Sequence, residues 1–308
     1  MLALWILLIA AGLYTFFFVA PAVVAYHHIF ARKPDRSFDG SGAAKTSFTP
    51  YLDQISAARS KLLTDGRSVS LTSRDGLHLH GTYVDGGSTK TAVFLHGYRA
   101  DYLACCAVQA AAFRREGYNV LLIQHRAHGE SGGDHTTLGL EEQFDLLDWV
   151  DWVRQETNTE QIVIYGVSMG GTTAAYAAGR LDPAAVRVIV VDCGFSSPYD
   201  QIAWDGRRRG IPSWGVMPVI RLLAKGQLNV DIKTPVTEAL SRTAIPCFFL
   251  HGTDDLTVPY PQGVANYESC ASDKELFSVP GGGHTVSYMA GGEACRKALF
   301  DFVRKHVG

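Results

Sequence analysis

Cysteine is sparse in this chain and nowhere spaced as C-x-x-C. Its six residues, Cys105, Cys106, Cys193, Cys247, Cys270 and Cys295, are scattered over 308 positions. That spacing offers no disulfide framework and no thiolate metal or redox motif; several of the six lie in apolar runs, where a buried thiol acts as a small hydrophobe. Basic charge is not in surplus either. The 28 Lys and Arg against 30 Asp and Glu give a formal net charge of −2, which argues against a nucleic-acid partner. Acidic tails and low-complexity tracts are also absent.

The longest absence is of charge itself. From Leu2 to Tyr26 no side chain is charged, and as a helix these roughly 25 residues cover about 37 Å, enough to cross a bilayer with some tilt. Trp5 near one end and Tyr26, His27 and His28 near the other sit where amphipathic rings favour the membrane interface, and Pro21 is tolerable so near a helix end. A cleaved signal peptide would want a basic start and a shorter apolar core, and a soluble domain rarely covers so long an apolar helix. The expectation is a transmembrane anchor over 1–31, a juxtamembrane linker over 32–66 and a folded domain over 67–308. Basic residues lie only after the run, at Arg32, Lys33, Arg36 and Lys45, and the positive-inside rule would then keep that domain in the cytoplasm. Nothing else in the sequence bears on the side of the membrane.

What is present beyond the anchor is strand alternating with helix. Val69 to Thr72 and Leu77 to Val84 flank Arg74-Asp75-Gly76, a hairpin signal. Buried strands are expected at Thr91 to Leu95, Asn119 to Ile123, Ile162 to Gly166, Val186 to Asp192, Ile245 to Leu250 and Glu275 to Val279. Helical spacing runs to Glu116, over Leu138 to Gln155 with Glu141 and Glu142 in the first turn, and over Glu293 to Val307. About fifty residues separate two of the strands, too many for an ordinary loop, so a small helical cap is expected over about 196–243. The pattern implies an α/β fold: a mostly parallel, eight-stranded sheet with helices on both faces.

Gly166-Val167-Ser168-Met169-Gly170 breaks one apolar run and opens a helix of small residues. A serine on so sharp a strand-to-helix turn is lifted out of the sheet, and flanking glycines leave it room. Serine is a weak nucleophile and needs a base held by an acid. His284, in a glycine-rich loop after the last strand, is the expected base. Asp255 is the expected acid, with Asp254 as its alternative and Asp192, at a strand end, as another. Charge that builds on a carbonyl oxygen needs two backbone N–H donors; Met169, at the helix start, and Tyr98, after the first parallel strand, are placed to give them. His96 is read as a brace for that loop. His125, His128 and His135 match no metal-ligand spacing, and neither a metal nor a cofactor is expected.

Taken together, His96-Gly97-Tyr98, His125-Arg126-Ala127-His128-Gly129-Glu130-Ser131, the Ser168 pentapeptide, His251-Gly252-Thr253-Asp254-Asp255 with Val258-Pro259, and Gly283-His284 resemble the α/β-hydrolase superfamily from about Val69 to His306. The similarity is greatest to its serine aminopeptidase-like and monoglyceride lipase-like branch, and within it to bacterial membrane-anchored hydrolases. That resemblance implies Ser168 as nucleophile, His284 as base, Asp255 as acid, and Tyr98 and Met169 as oxyanion donors. It implies a small-molecule ester or acyl substrate. Two rival readings stand beside it. One is a peptidase, for which Asp200, Asp205 and Glu238 are the available amine-binding carboxylates. The other is a silent, membrane-tethered binding module.

Overall fold

The computed structural model describes residues 1–35 and 48–308. Arg36, Lys45 and the stretch around them in the expected linker lie outside the described residues. One sheet carries eight strands in the order β1-β2-β4-β3-β5-β6-β7-β8. They are Arg67–Thr72 (β1), His78–Val84 (β2), Lys90–Leu95 (β3), Asn119–Ile123 (β4), Gln161–Val167 (β5), Val186–Asp192 (β6), Cys247–Gly252 (β7) and Lys274–Val279 (β8). β1, β2 and β4 pair antiparallel and all other neighbours pair parallel. The expected hairpin turns at Gly76, whose φ of 87° needs a residue without Cβ.

Period-two alternation explains why the central strands are apolar on both faces. Ile162 and Ile164 of β5 enter one core while Val163, Tyr165 and Val167 enter the other. One register shift between β5 and β6, at Ile162/Val163, inserts Arg187 as an extra residue, and the two faces of β6 exchange there.

Helices cover both faces. Leu2–Phe30 (α1) is one continuous helix of 29 residues. Leu52–Asp65 (α2), Tyr102–Arg115 (α3), Glu142–Glu156 (α4), Met169–Ala177 (α5), Pro198–Arg208 (α6), Ser213–Gln227 (α7), Thr237–Leu240 (α8), Tyr260–Ser269 (α9), Ser287–Ala290 (α10) and Gly292–His306 (α11) follow. α6, α7 and α8 lie between β6 and β7, over the stretch where the cap is expected. The helix α2, within the expected linker, buries Ile55 and Leu62 against the core that α3 and α11 share. α4 starts at Glu142 and not at Leu138, because Leu138 and Gly139 turn at φ of 58° and 104°.

The first turns of α1 are exposed, from Leu2 through Phe17, and make it long and apolar enough to cross a membrane. Its last turns are different: Ala22, Tyr26 and Phe30 are fully buried with Val216, Met217 and Ile220 of α7. The Phe18 and Trp214 rings lie 4.7 Å apart at a tilt of 53°, and a Cβ on Gly215 would lie 2.2 Å from the Phe18 ring, so the glycine admits the helix.

Candidate active site

Each residue singled out for chemistry follows the carboxyl end of a strand, and the parallel order of the sheet gathers those ends on one edge. After β5 the chain turns through Ser168 at φ 55° and ψ −116°, a conformation strained for any residue with a Cβ. Two glycines make this possible. A Cβ on Gly166 would sit 2.2 Å from Gly170 O, and one on Gly170 would sit 2.2 Å from Leu95 O. The turn is pinned by Ser168 N–H donating to Asp192 O at 2.7 Å.

His284 follows β8 and reaches back across the sheet edge. Its Nε2 is 2.9 Å from Ser168 Oγ and its Nδ1 is 2.6 Å from Asp255 Oδ2. Asp255 is buried, and its Oδ1 accepts the backbone N–H groups of Thr257 at 2.8 Å and Val258 at 2.9 Å. Burial alone would raise this carboxyl, but hydrogen bonds from His251 and His284 outweigh it and hold Asp255 well below the usual carboxylate range. An ionised acid, a ring with Nδ1–H fixed toward it and a lone pair on Nε2 facing a hydroxyl form a proton path away from Ser168.

The alternatives for the acid fall elsewhere. Asp254 is exposed and accepts from Thr253 Oγ1 at 3.0 Å. Asp192 is fully buried and accepts from Tyr165 Oη at 2.9 Å; burial pushes its carboxyl up to about 6.

Opposite Ser168, the loop after β3 lays Gly97 against it: a Cβ there would lie 3.5 Å from Ser168 Cβ and 3.9 Å from Oγ. Tyr98 is next in that loop, and Met169 opens α5. The first N–H groups of a helix have no carbonyl one turn behind them.

Three histidines build the floor of this loop. His96 Nε2 accepts from His125 N–H at 3.1 Å, His125 Nε2 donates to His96 O at 3.1 Å, and His128 Nε2 accepts from Arg99 N–H at 3.0 Å. Burial depresses His96 well below an ordinary imidazole and His125 to about 4, so both are neutral braces. His135 pairs through its backbone with Ala31. The ligand atoms of Cys193, Asp255 and His284 lie within 4.8 Å of one another. Two of them already bond each other, and burial holds the Cys193 thiol protonated.

Sequence reasoning missed two participants. His251 Nε2, 3.5 Å from Asp255 Oδ2, donates to Val258 O at 2.9 Å and closes the acid's loop. Glu142, read as a helix-dipole residue, is fully buried and accepts from Thr136 Oγ1, Thr137 N and Oγ1, and Gly139 N at 2.7 to 2.8 Å. It fixes the strand-end loop that leads into α4, beside Met169.

Comparison with known proteins agrees with this architecture. A family model described as alpha/beta hydrolase fold matches residues 91–245, just over half of the chain. The uncharacterized protein YqkD of Bacillus subtilis (strain 168) is 29% identical over 233 residues, 74% of this chain and 76% of its own. The esterase Pf2001 of Pyrococcus furiosus superposes with a TM-score of 0.69 at 24% identity, covering 91% of this chain and 100% of that one. Est1E of Butyrivibrio proteoclasticus, solved with ferulic acid bound, gives a TM-score of 0.59 at 18% identity over 77% of this chain and 99% of that one. With the family model matched from β3 past α8, and the strand order of the whole sheet alongside it, this chain belongs to the alpha/beta hydrolase fold family.

Proposed function

We propose that the protein is a serine hydrolase that cleaves carboxylic esters or thioesters through an acyl-enzyme on Ser168. The observation that carries this reading is the chain of contacts from Ser168 Oγ to His284 Nε2 at 2.9 Å and from His284 Nδ1 to Asp255 at 2.6 Å. In the first half-reaction Ser168 Oγ attacks the ester carbonyl and gives its proton to His284 Nε2. The backbone N–H groups of Tyr98 and Met169 receive the developing oxyanion, and His284 returns the proton to the leaving alcohol or thiol. In the second, His284 takes a proton from water as it attacks the acyl carbonyl, then returns that proton to Ser168 Oγ as the carboxylic acid leaves.

An ester substrate is favoured over a peptide. Of the three carboxylates named for a free amine, two are engaged, Asp200 accepting from Ser197 Oγ at 2.7 Å and Asp205 pairing with Arg209 at 2.9 Å, while Glu238 is exposed. The esterase names of Pf2001 and Est1E support the same side. Placement in the serine aminopeptidase-like and monoglyceride lipase-like branch belongs to this reading, as does the division into an anchor at 1–31, a linker at 32–66 and a domain at 67–308 with its cap at about 196–243. Anchored by α1, the site would meet acyl esters at a membrane surface.

The test is labelling of the detergent-purified full chain by a fluorophosphonate, beside Ser168→Ala and His284→Ala, with p-nitrophenyl esters of rising acyl length. Labelling and turnover lost in both variants, by roughly 10⁴-fold or more in kcat, support the reading. A folded wild-type chain that takes no label sinks it and favours a binding module.

A further inference from the structure

We propose that the C-terminal end of α1 is a positioning element of the active site: through Tyr98 and Arg99 its last carbonyls hold the loop that presents the oxyanion donor. This rests on the reading of Tyr98 N–H as that donor.

The last turn of a helix leaves carbonyls without intrahelical donors, at the negative end of its dipole. In α1 the usual continuation is diverted. Arg32 N–H, which a longer helix would aim at His28 O, donates instead to Asp134 O at 2.7 Å. His28 O is taken by the Arg99 guanidinium, which also reaches Ala31 O at 3.5 Å. Ile29 O accepts from Tyr98 Oη at 2.7 Å. The two side chains support each other, the guanidinium lying 4.6 Å from the centre of the Tyr98 ring. Arg99 is buried, so its charge requires these partners.

The backbone of the loop is bound to the same arrangement. Arg99 sits at φ 52°, its N–H donates to His128 Nε2 at 3.0 Å, and Ala100 N–H donates to Gly97 O at 3.2 Å. Gly97 in turn packs on Ser168. A shift of the α1 end therefore reaches the peptide between Gly97 and Tyr98 through the side chains of Tyr98 and the next residue, Arg99.

That end is itself firmly seated. Thr136 N–H donates to Phe30 O at 2.9 Å, and the Arg32 guanidinium donates to Gly129 O at 2.6 Å, Ser131 O at 2.7 Å and Gly133 O at 3.2 Å. Tyr26 and Phe30 are fully buried beneath it. The helix is thus a fixed support shared by the loops after β3 and β4, and not a passive tether.

The experiment uses the full chain in detergent with Tyr98→Phe, Arg99→Gln, their combination, and Arg32→Gln, which loosens the helix end without touching the loop after β3. The readouts are kcat and KM for p-nitrophenyl acetate and Ki for phenylboronic acid, whose tetrahedral adduct on Ser168 uses the oxyanion site. The expected result is a fall in kcat of roughly ten- to hundredfold at unchanged KM, with Ki weakened by the same factor. Arg32→Gln and Tyr98→Phe should combine less than additively, since both act through one support. Unchanged kcat and Ki in Tyr98→Phe with Arg99→Gln would overturn the proposal, as would a rise in KM alone. Should Arg99→Gln fail to fold, Tyr98→Phe removes a single hydroxyl and decides the matter by itself. Failure of the wild-type chain to take a fluorophosphonate is a different outcome and refutes the hydrolase reading on which this one stands.

Discussion

Replacing Asp255 by asparagine should disable the enzyme while leaving its shape intact, and the geometry says why. Asp255 Oδ1 is claimed by two fixed backbone donors, Thr257 N–H and Val258 N–H, while Oδ2 faces His284 Nδ1 at 2.6 Å. Asparagine has one oxygen, and the two backbone donors take it. Its amide nitrogen then turns to His284 and offers N–H where the ring needs an acceptor. Nδ1 must accept, the ring proton moves to Nε2, and Nε2–H can no longer take the proton of Ser168. The wrong tautomer should lower kcat by roughly a thousand- to ten-thousandfold, about 4 to 5 kcal/mol of barrier. The assay is p-nitrophenyl acetate hydrolysis by the full chain in detergent, alongside Asp254→Asn and Asp192→Asn and a thermal melt of each. Asp254→Asn should stay near wild type. The reasoning is refuted if Asp255→Asn keeps more than a tenth of wild-type kcat, or if Asp192→Asn alone shows the large loss.

Two further outcomes follow from the same neighbourhood. Asp192 has its carboxyl raised from 3.8 to about 6 by burial, so the folded chain binds the extra proton between those values; this share of stability is full below about pH 4 and is lost as pH rises through 6. The stability of wild type should therefore fall from pH 5 to pH 8 by more than that of Asp192→Asn, the difference amounting to about 1.4 kcal/mol over that window, and parallel pH curves of melting temperature would contradict it. Gly170→Ala forces a Cβ to 2.2 Å from Leu95 O in the neighbouring strand, and should cost about 3 kcal/mol or abolish soluble folding. Gly226→Ala, with nothing within 4 Å, serves as the harmless comparison in the same expression and melting assay.

The sheet and the placement of Ser168 and His284 were legible because buried parallel strands announce themselves as continuous apolar runs and each motif follows one directly. The choice among Asp192, Asp254 and Asp255 was harder, since all three sit near strand ends and only the contact with His284 Nδ1 and the two amides of Thr257 and Val258 distinguish Asp255. Glu142 was invisible as a loop clamp because its partners are a threonine pair and backbone N–H groups, which have no sequence signature. The start of α4 was misplaced for the same reason: apolar Leu138 fits helical spacing, yet the Gly139 turn is set by the Glu142 carboxylate. Contacts between α1 and the Tyr98 loop join residues about seventy positions apart through main-chain carbonyls, and no periodicity encodes them.

Arg32 gives the end of α1 a history as well as a geometry. It is the first charged residue after the apolar helix, and in the folded chain its guanidinium donates to three carbonyls of the loop after β4. If α1 crosses a bilayer, that charge biases orientation while the chain is being inserted, before the loop exists to receive it. Once the domain folds, the same group becomes a bracket for that loop, so orientation and assembly draw on one residue in succession. A substitution there would be felt twice, first as mixed topology and later as a loosened loop, and the two defects would appear at different times after synthesis.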